Sequence, residues 1–128
     1  MKTFKSIVVI ISLISLCNCV QKAHPKTIIV KVDMSNIEDV SSVGIRGNNP
    51  LSWDETTFLN DDDADGIYEG TFDIYTANYD IEFKFLKNND QFELEGQNNR
   101  SLKFEYKPET IEYKAVFDNL SETKITRQ

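Results

Sequence analysis

The chain has 128 residues, with 14 Lys and Arg against 21 Asp and Glu, a net charge of −7, 40% hydrophobic residues and 14 aromatics. This length supports one ordinary domain and excludes a multidomain enzyme, while the acidic surface repels phosphate backbones and excludes nucleic acid as a partner. The apolar share suffices for a core and excludes a disordered chain.

Residues 1–19 run from a basic start (Lys2, Lys5) into the apolar stretch Ile7 to Leu16, too short for a permanent membrane span. They read as an export signal. Without them 12 basic and 21 acidic residues remain, a charge of −9. The end of the stretch, Leu16-Cys17-Asn18-Cys19, resembles a bacterial lipobox, which makes Cys19 the expected lipidated residue, with Cys17 the second choice and simple signal cleavage the alternative. Acyl chains would anchor the protein, not span the bilayer. The expected location is then the bacterial membrane, on its periplasmic or cell-surface side. No cysteine follows Cys19, so the domain has no disulfide and no cysteine-based metal site.

Residues 20–26, with His24 and Pro25, read as a tether, and the domain is expected over 27–118. Apolar residues then recur at every second position, the period of half-buried strands. One row is Ile28, Val30, Val32 and Met34; another is Tyr79, Ile81, Phe83 and Phe85; a third is Ile111, Tyr113, Ala115 and Phe117. Weaker or mixed runs lie at Val40–Ile45, Ile67–Ile74 and Leu102–Tyr106, and turn residues separate them at short intervals. No window carries a helical stripe. The pattern predicts one all-β domain, an antiparallel β-sandwich of immunoglobulin-like type. Gly66–Tyr75 and Tyr79–Leu86 are expected to form a hairpin across a three-residue loop, and residues 119–128 a polar, fraying tail.

Asp61, Asp63, Asp65 and Gly66 fit the opening of a calcium loop, in which alternate short carboxylates converge on one hard cation. An EF-hand would place a Glu where Phe72 stands, and a solvated acidic turn is the competing reading. No other cofactor is expected. A catalytic role is not expected either: the only histidine lies in the tether and no cysteine nucleophile follows Cys19. Pairs such as Glu93 with Glu95, or Glu55 with the acidic turn, arise by chance in so acidic a chain, and a small sandwich leaves little room for a deep active site.

An ordered set of segments is similar to the family 20 carbohydrate-binding modules, the starch-binding domains, and to related starch-binding-like modules. The set is Ile28–Met34, Val43-Gly44-Ile45-Arg46-Gly47-Asn48, Leu51-Ser52-Trp53-Asp54, Gly66-Ile67-Tyr68-Glu69, Ile81-Glu82-Phe83-Lys84-Phe85, and Phe92-Glu93-Leu94-Glu95 followed by Asn98-Asn99-Arg100. It covers residues 27–106. The resemblance implies a non-catalytic module that binds starch or a related α-glucan, with Trp53 as the first stacking platform and Lys84 and Asn99 as hydroxyl partners. The second platform falls at Leu94, a departure from the family's tryptophan, for which Phe92 is the candidate substitute. An aromatic face suits the apolar C–H face of a pyranose, and fixed polar groups suit its rim. Read from the residues alone, Trp53 is a platform or a lid over the sandwich, Lys84 a sugar ligand or a solvated lysine, and Phe92 a platform or core. An envelope module that keeps the fold but docks to a protein partner is the alternative, favoured by Leu94.

Overall fold

The computed structural model describes residues 20–128. The export signal and Cys19 lie outside the described residues, and among the described residues no helix is long and apolar enough to cross a membrane.

Nine strands form two sheets: β1 (His24–Asp33), β2 (Val43–Gly47), β3 (Thr57–Phe58), β4 (Ile67–Thr76), β5 (Asp80–Lys87), β6 (Gln91–Phe92), β7 (Arg100–Lys103), β8 (Glu109–Val116) and β9 (Asn119–Arg127). The first sheet has the order β4-β1-β8-β9; the second runs β3-β2-β5-β6, with β7 also on β5. Alternation decides which face is buried. Ile28, Val30 and Val32 of β1 and Ile111, Tyr113 and Ala115 of β8 meet Val43 and Ile45 of β2 and Ile81, Phe83 and Phe85 of β5 in one core. Phe83 packs edge-to-face on both Phe85 and Tyr113, at 5.7 and 5.0 Å between centroids. The all-β sandwich expected from the sequence is the fold found, with one exception to its antiparallel character: β1 and β8 run parallel, Lys26 opposite Glu109 through Asp33 opposite Val116.

Three local expectations are corrected. The predicted hairpin does not form. β4 pairs with β1, Ile28 opposite Phe72, whereas β5 pairs with β2 in the other sheet, so the three residues 77–79 carry the chain between sheets. A link this short serves either geometry, and the dense apolar row of β1 supplies the partner that β4 takes.

The tether is shorter than expected, because β1 begins at His24. Lys26 points inward, where its ammonium donates to Glu109 Oε2 at 2.6 Å and to the carbonyls of Glu105 and Lys107. Arg127 donates to the other oxygen of Glu109 and to Lys103 O, which fixes the end of the chain. Residues 119–127 are accordingly strand β9, not a fraying tail; an edge strand with a mostly exposed surface has no reason to show an apolar row.

Candidate functional site

The outer face of the second sheet collects the side chains of interest. β2 and β5 are antiparallel with Arg46 opposite Lys84, so alternation turns both cations away from the core that Ile45, Phe83 and Phe85 fill. Gly47 lets the end of β2 come close to β5: a Cβ there would lie 2.5 Å from Glu82 O and 2.7 Å from Phe83 Cβ. Beyond it the Asn48–Ser52 turn is closed by Leu51 N–H to Asn48 O at 2.9 Å and Gly47 N–H to Ser52 O at 3.2 Å, with a cis peptide between Asn49 and Pro50. This turn delivers Trp53 to the outer face. Its indole N–H donates to Asn48 Oδ1 at 2.9 Å, and the residue is 37% exposed, so the polar edge is tied down while part of the ring surface stays open.

Trp53, Lys84 and Phe92 line one shallow depression, with Lys87, Gln91 and Asp90 at its rim. It measures about 910 Å³, within the ~300–1,000 Å³ usual for small-ligand clefts. Phe92 is 42% exposed and is the second aromatic surface. Lys84 Nζ donates to Leu94 O at 3.0 Å and Gln97 O at 3.2 Å, which engages two of its three N–H donors and leaves one for a ligand.

Two expected site residues are placed elsewhere. Leu94 is 1% exposed and has φ +51°, the left-handed region that bulky residues rarely enter. Strand β6 ends at Phe92; the turn at Leu94 breaks the alternation and drives the side chain inward, so Leu94 cannot be a platform and does not share a face with Phe92. Its N–H donates to Asp118 Oδ1 at 2.6 Å, and its carbonyl also receives Gln97 N–H at 2.9 Å. Asn99 is not among the residues lining the depression; its amide donates to Glu82 Oε2 at 3.4 Å.

Two residues that sequence reasoning passed over hold the site together. Arg46 Nε donates to Thr56 Oγ1 at 2.8 Å, Nη1 to Trp53 O at 3.3 Å, and the guanidinium carbon stands 5.7 Å from the Phe92 ring centroid, so one side chain meets the backbone of Trp53 and the ring of Phe92. Its place after Ile45 on a strand was the available signal. Arg100, fully buried, binds Glu93 with Nε to Oε1 at 2.6 Å and Nη2 to Oε2 at 2.9 Å. Burial works against its charge, yet the bonds and charge of Glu93 outweigh it and hold the guanidinium above its ordinary pKa. Glu93 also accepts Phe85 N–H and Asp118 N–H, so this pair fixes the backbone from which Leu94 O reaches Lys84. Glu93 is a structural ion-pair partner, which removes it from any carboxylate couple with Glu95.

Asp61, Asp63 and Asp65 do converge, with ligand oxygens within 4.8 Å of one another. The turn is already closed by its own bonds: Asp61 Oδ1 and Oδ2 accept the N–H groups of Asp65 and Gly66, and Asp65 Oδ1 accepts Ile67 N–H at 2.8 Å. Local desolvation acts against both charges, but the Gly66 and other hydrogen bonds lower the Asp61 pKa, whereas desolvation, the bond to Asp61 and the charge of Asp65 raise that of Asp63. Three carboxylates with half their oxygens engaged fall short of the six to eight oxygens a calcium ion takes, and the arrangement fits a self-bonded acidic turn. Asp63 and Asp65 also border a charged trough on the other sheet, where Lys31 bridges Glu69 and Glu112 at 3.1 and 3.2 Å and no aromatic side chain is present.

No family model matches the chain, and no curated protein matches it. Among solved structures it is similar to the CBM25-2 module of the beta/alpha-amylase from Paenibacillus polymyxa, with a TM-score of 0.46 and 14% identity, over 82% of this chain and 92% of that one. It is also similar to the CBM25-1 module of the same enzyme, with a TM-score of 0.44 and 15% identity, over 81% of this chain and 93% of that one.

Proposed function

We propose that the protein is a non-catalytic module that binds starch or a related α-glucan oligosaccharide on the outer face of its second sheet. One observation carries the reading: a partly exposed indole, an exposed phenyl ring and an ammonium with a spare donor line the same depression. The rings supply apolar surface for the C–H face of a pyranose, and Lys84, Lys87, Gln91 and Asp90 offer both donors and acceptors to its hydroxyls. Mixed charge at the rim suits a neutral ligand better than a polyanion. The burial of Leu94 takes away the feature that had favoured a protein-docking module, since the position never belonged to the surface.

We further propose that a lipid on Cys19 holds the module at the bacterial envelope. Incorporation of labelled palmitate that disappears in Cys19→Ser is the expected result, and equal labelling of the variant would refute it.

Stacking that removes about 100 Å² of combined apolar surface is worth on the order of 2.5 kcal/mol before association costs. Trp53→Ala should therefore weaken maltoheptaose binding at least tenfold by calorimetry. Emission of the single tryptophan should change as the sugar is added to the native protein; an unchanged spectrum and no measurable heat would overturn the reading.

A further inference from the structure

At the Asp80 end of β5, whereas the Trp53 depression takes Lys84 and Lys87 nearer the strand's other end, a smaller cleft is lined by Asn48, Asn49, Asn78, Tyr79 and Asp80. Tyr79 was expected to lead the apolar row of β5, yet it is 60% exposed while Ile81, Phe83 and Phe85 are buried. Its backbone is nonetheless fixed, since its carbonyl accepts Phe104 N–H at 2.6 Å and the preceding Asn78 N–H donates to Thr76 Oγ1 at 3.0 Å. The Asn48 side of the cleft is fixed too, by Asn48 N–H to Glu82 O at 2.9 Å. Among the described residues the side chains of Asn49, Asn78, Tyr79 and Asp80 make no hydrogen bond to one another or to the rest of the fold. An exposed aromatic ring on a fixed backbone, among unspent amides and a carboxylate, has the composition of a saccharide subsite, in which a ring face takes the sugar and polar groups take its rim.

Asn48 joins the two places. Its Oδ1 is occupied by the Trp53 indole N–H, so its NH₂ donors are what it can offer the cleft, and one turn orients both sites. We propose that this cleft is a second subsite for the same glucan chain, which runs from Trp53 past Asn48 to stack on Tyr79. The proposal rests on the sugar-binding reading of the Trp53 depression and adds a chain-length dependence to it. A disaccharide covers the first site only, whereas a heptasaccharide engages both and binds more tightly.

The experiment compares maltose and maltoheptaose titrated into the native domain, Tyr79→Ala, Tyr79→Phe and Asn78→Ala, with circular dichroism to confirm folding. Tyr79→Ala should weaken maltoheptaose about tenfold, equivalent to ~1.4 kcal/mol, and leave maltose unchanged. Tyr79→Phe should keep most of that affinity, because it retains the ring, and Asn78→Ala should weaken only the longer sugar. Native affinity for maltoheptaose in Tyr79→Ala overturns the second subsite while leaving the Trp53 site intact, as does an equal loss for both sugars. Absence of any response in the native protein overturns the sugar-binding reading and the subsite with it.

Discussion

Replacing Arg100 by Met tests how the buried ion pair supports the site. Both side chains are fully shielded from solvent. Glu93 accepts four hydrogen bonds: two from Arg100, one from Phe85 N–H at 3.2 Å and one from Asp118 N–H at 3.1 Å. Arg100→Met removes two of the four and the cation that pairs with Glu93, and it also frees Val116 O and Thr123 Oγ1, which the guanidinium bonds. An uncompensated buried carboxylate costs about 3–5 kcal/mol, a large share of the ~5–15 kcal/mol that holds a domain folded. Urea unfolding followed by Trp53 emission and circular dichroism should show this loss. The double variant Glu93→Gln/Arg100→Met should recover part of it, because no charge is then left buried, the amide oxygen still accepts one of the two backbone N–H groups that meet different oxygens of Glu93, and Met packs on Phe85, over whose ring the guanidinium now sits at 5.5 Å. A single-variant loss below ~1 kcal/mol, the range of a solvated surface pair, with no gain in the double variant, would refute the claim that the pair is desolvated.

Glu109 sets an acid limit on stability. Burial opposes its charge, but Lys26, the Glu105 N–H and Arg127 prevail and hold the carboxyl below its ordinary value. A depressed carboxyl stabilises the fold above the unfolded value of about 4.3 and loses that contribution as pH falls through the folded one. Urea midpoints should therefore drop more steeply below pH ~4.3 in the native protein than in Glu109→Gln, and parallel profiles would refute this. A larger ring at Phe92 should extend the second aromatic surface by roughly 20 Å², so Phe92→Trp tightens maltoheptaose about twofold. Leu94→Trp should instead cost about 1–3 kcal/mol by overpacking without tightening binding; a tighter, undiminished protein would show that position 94 reaches the surface after all.

Sheet architecture was legible wherever burial is one-sided. Ile28–Met34 and Ile111–Phe117 alternate without interruption because both strands lie inside the first sheet, with one face on the core. Edge strands were harder. β4 is only half-buried and β9 mostly exposed, so the sequence pattern alone points to the wrong partner for the first and to a polar tail for the second. Partner choice is a long-range property: β1 runs parallel to β8, 83 positions away in the chain at Lys26 and Glu109, and no local turn chemistry announces such a pairing. Lys26 illustrates the same limit, since a lysine beside a proline reads as solvated until three acceptors from a distant turn close around it.

At the site, alternation placed Lys84 outward and turn chemistry placed Trp53 in a loop, and both side chains line the same depression. Leu94 failed for a reason that alternation cannot carry. The strand rule holds only while φ stays extended, and one residue at +51° reverses the face of everything after it. The reversal is held by a glutamate and an arginine that looked like surface charge, and by Asp118, 24 residues further along. Once Leu94 turns inward, its carbonyl becomes an acceptor for Lys84, so the same turn that removes a platform also positions the ammonium. The second aromatic surface stands at Phe92, one ring contact of Arg46 away from the Trp53 backbone, at a position the aligned motif does not mark.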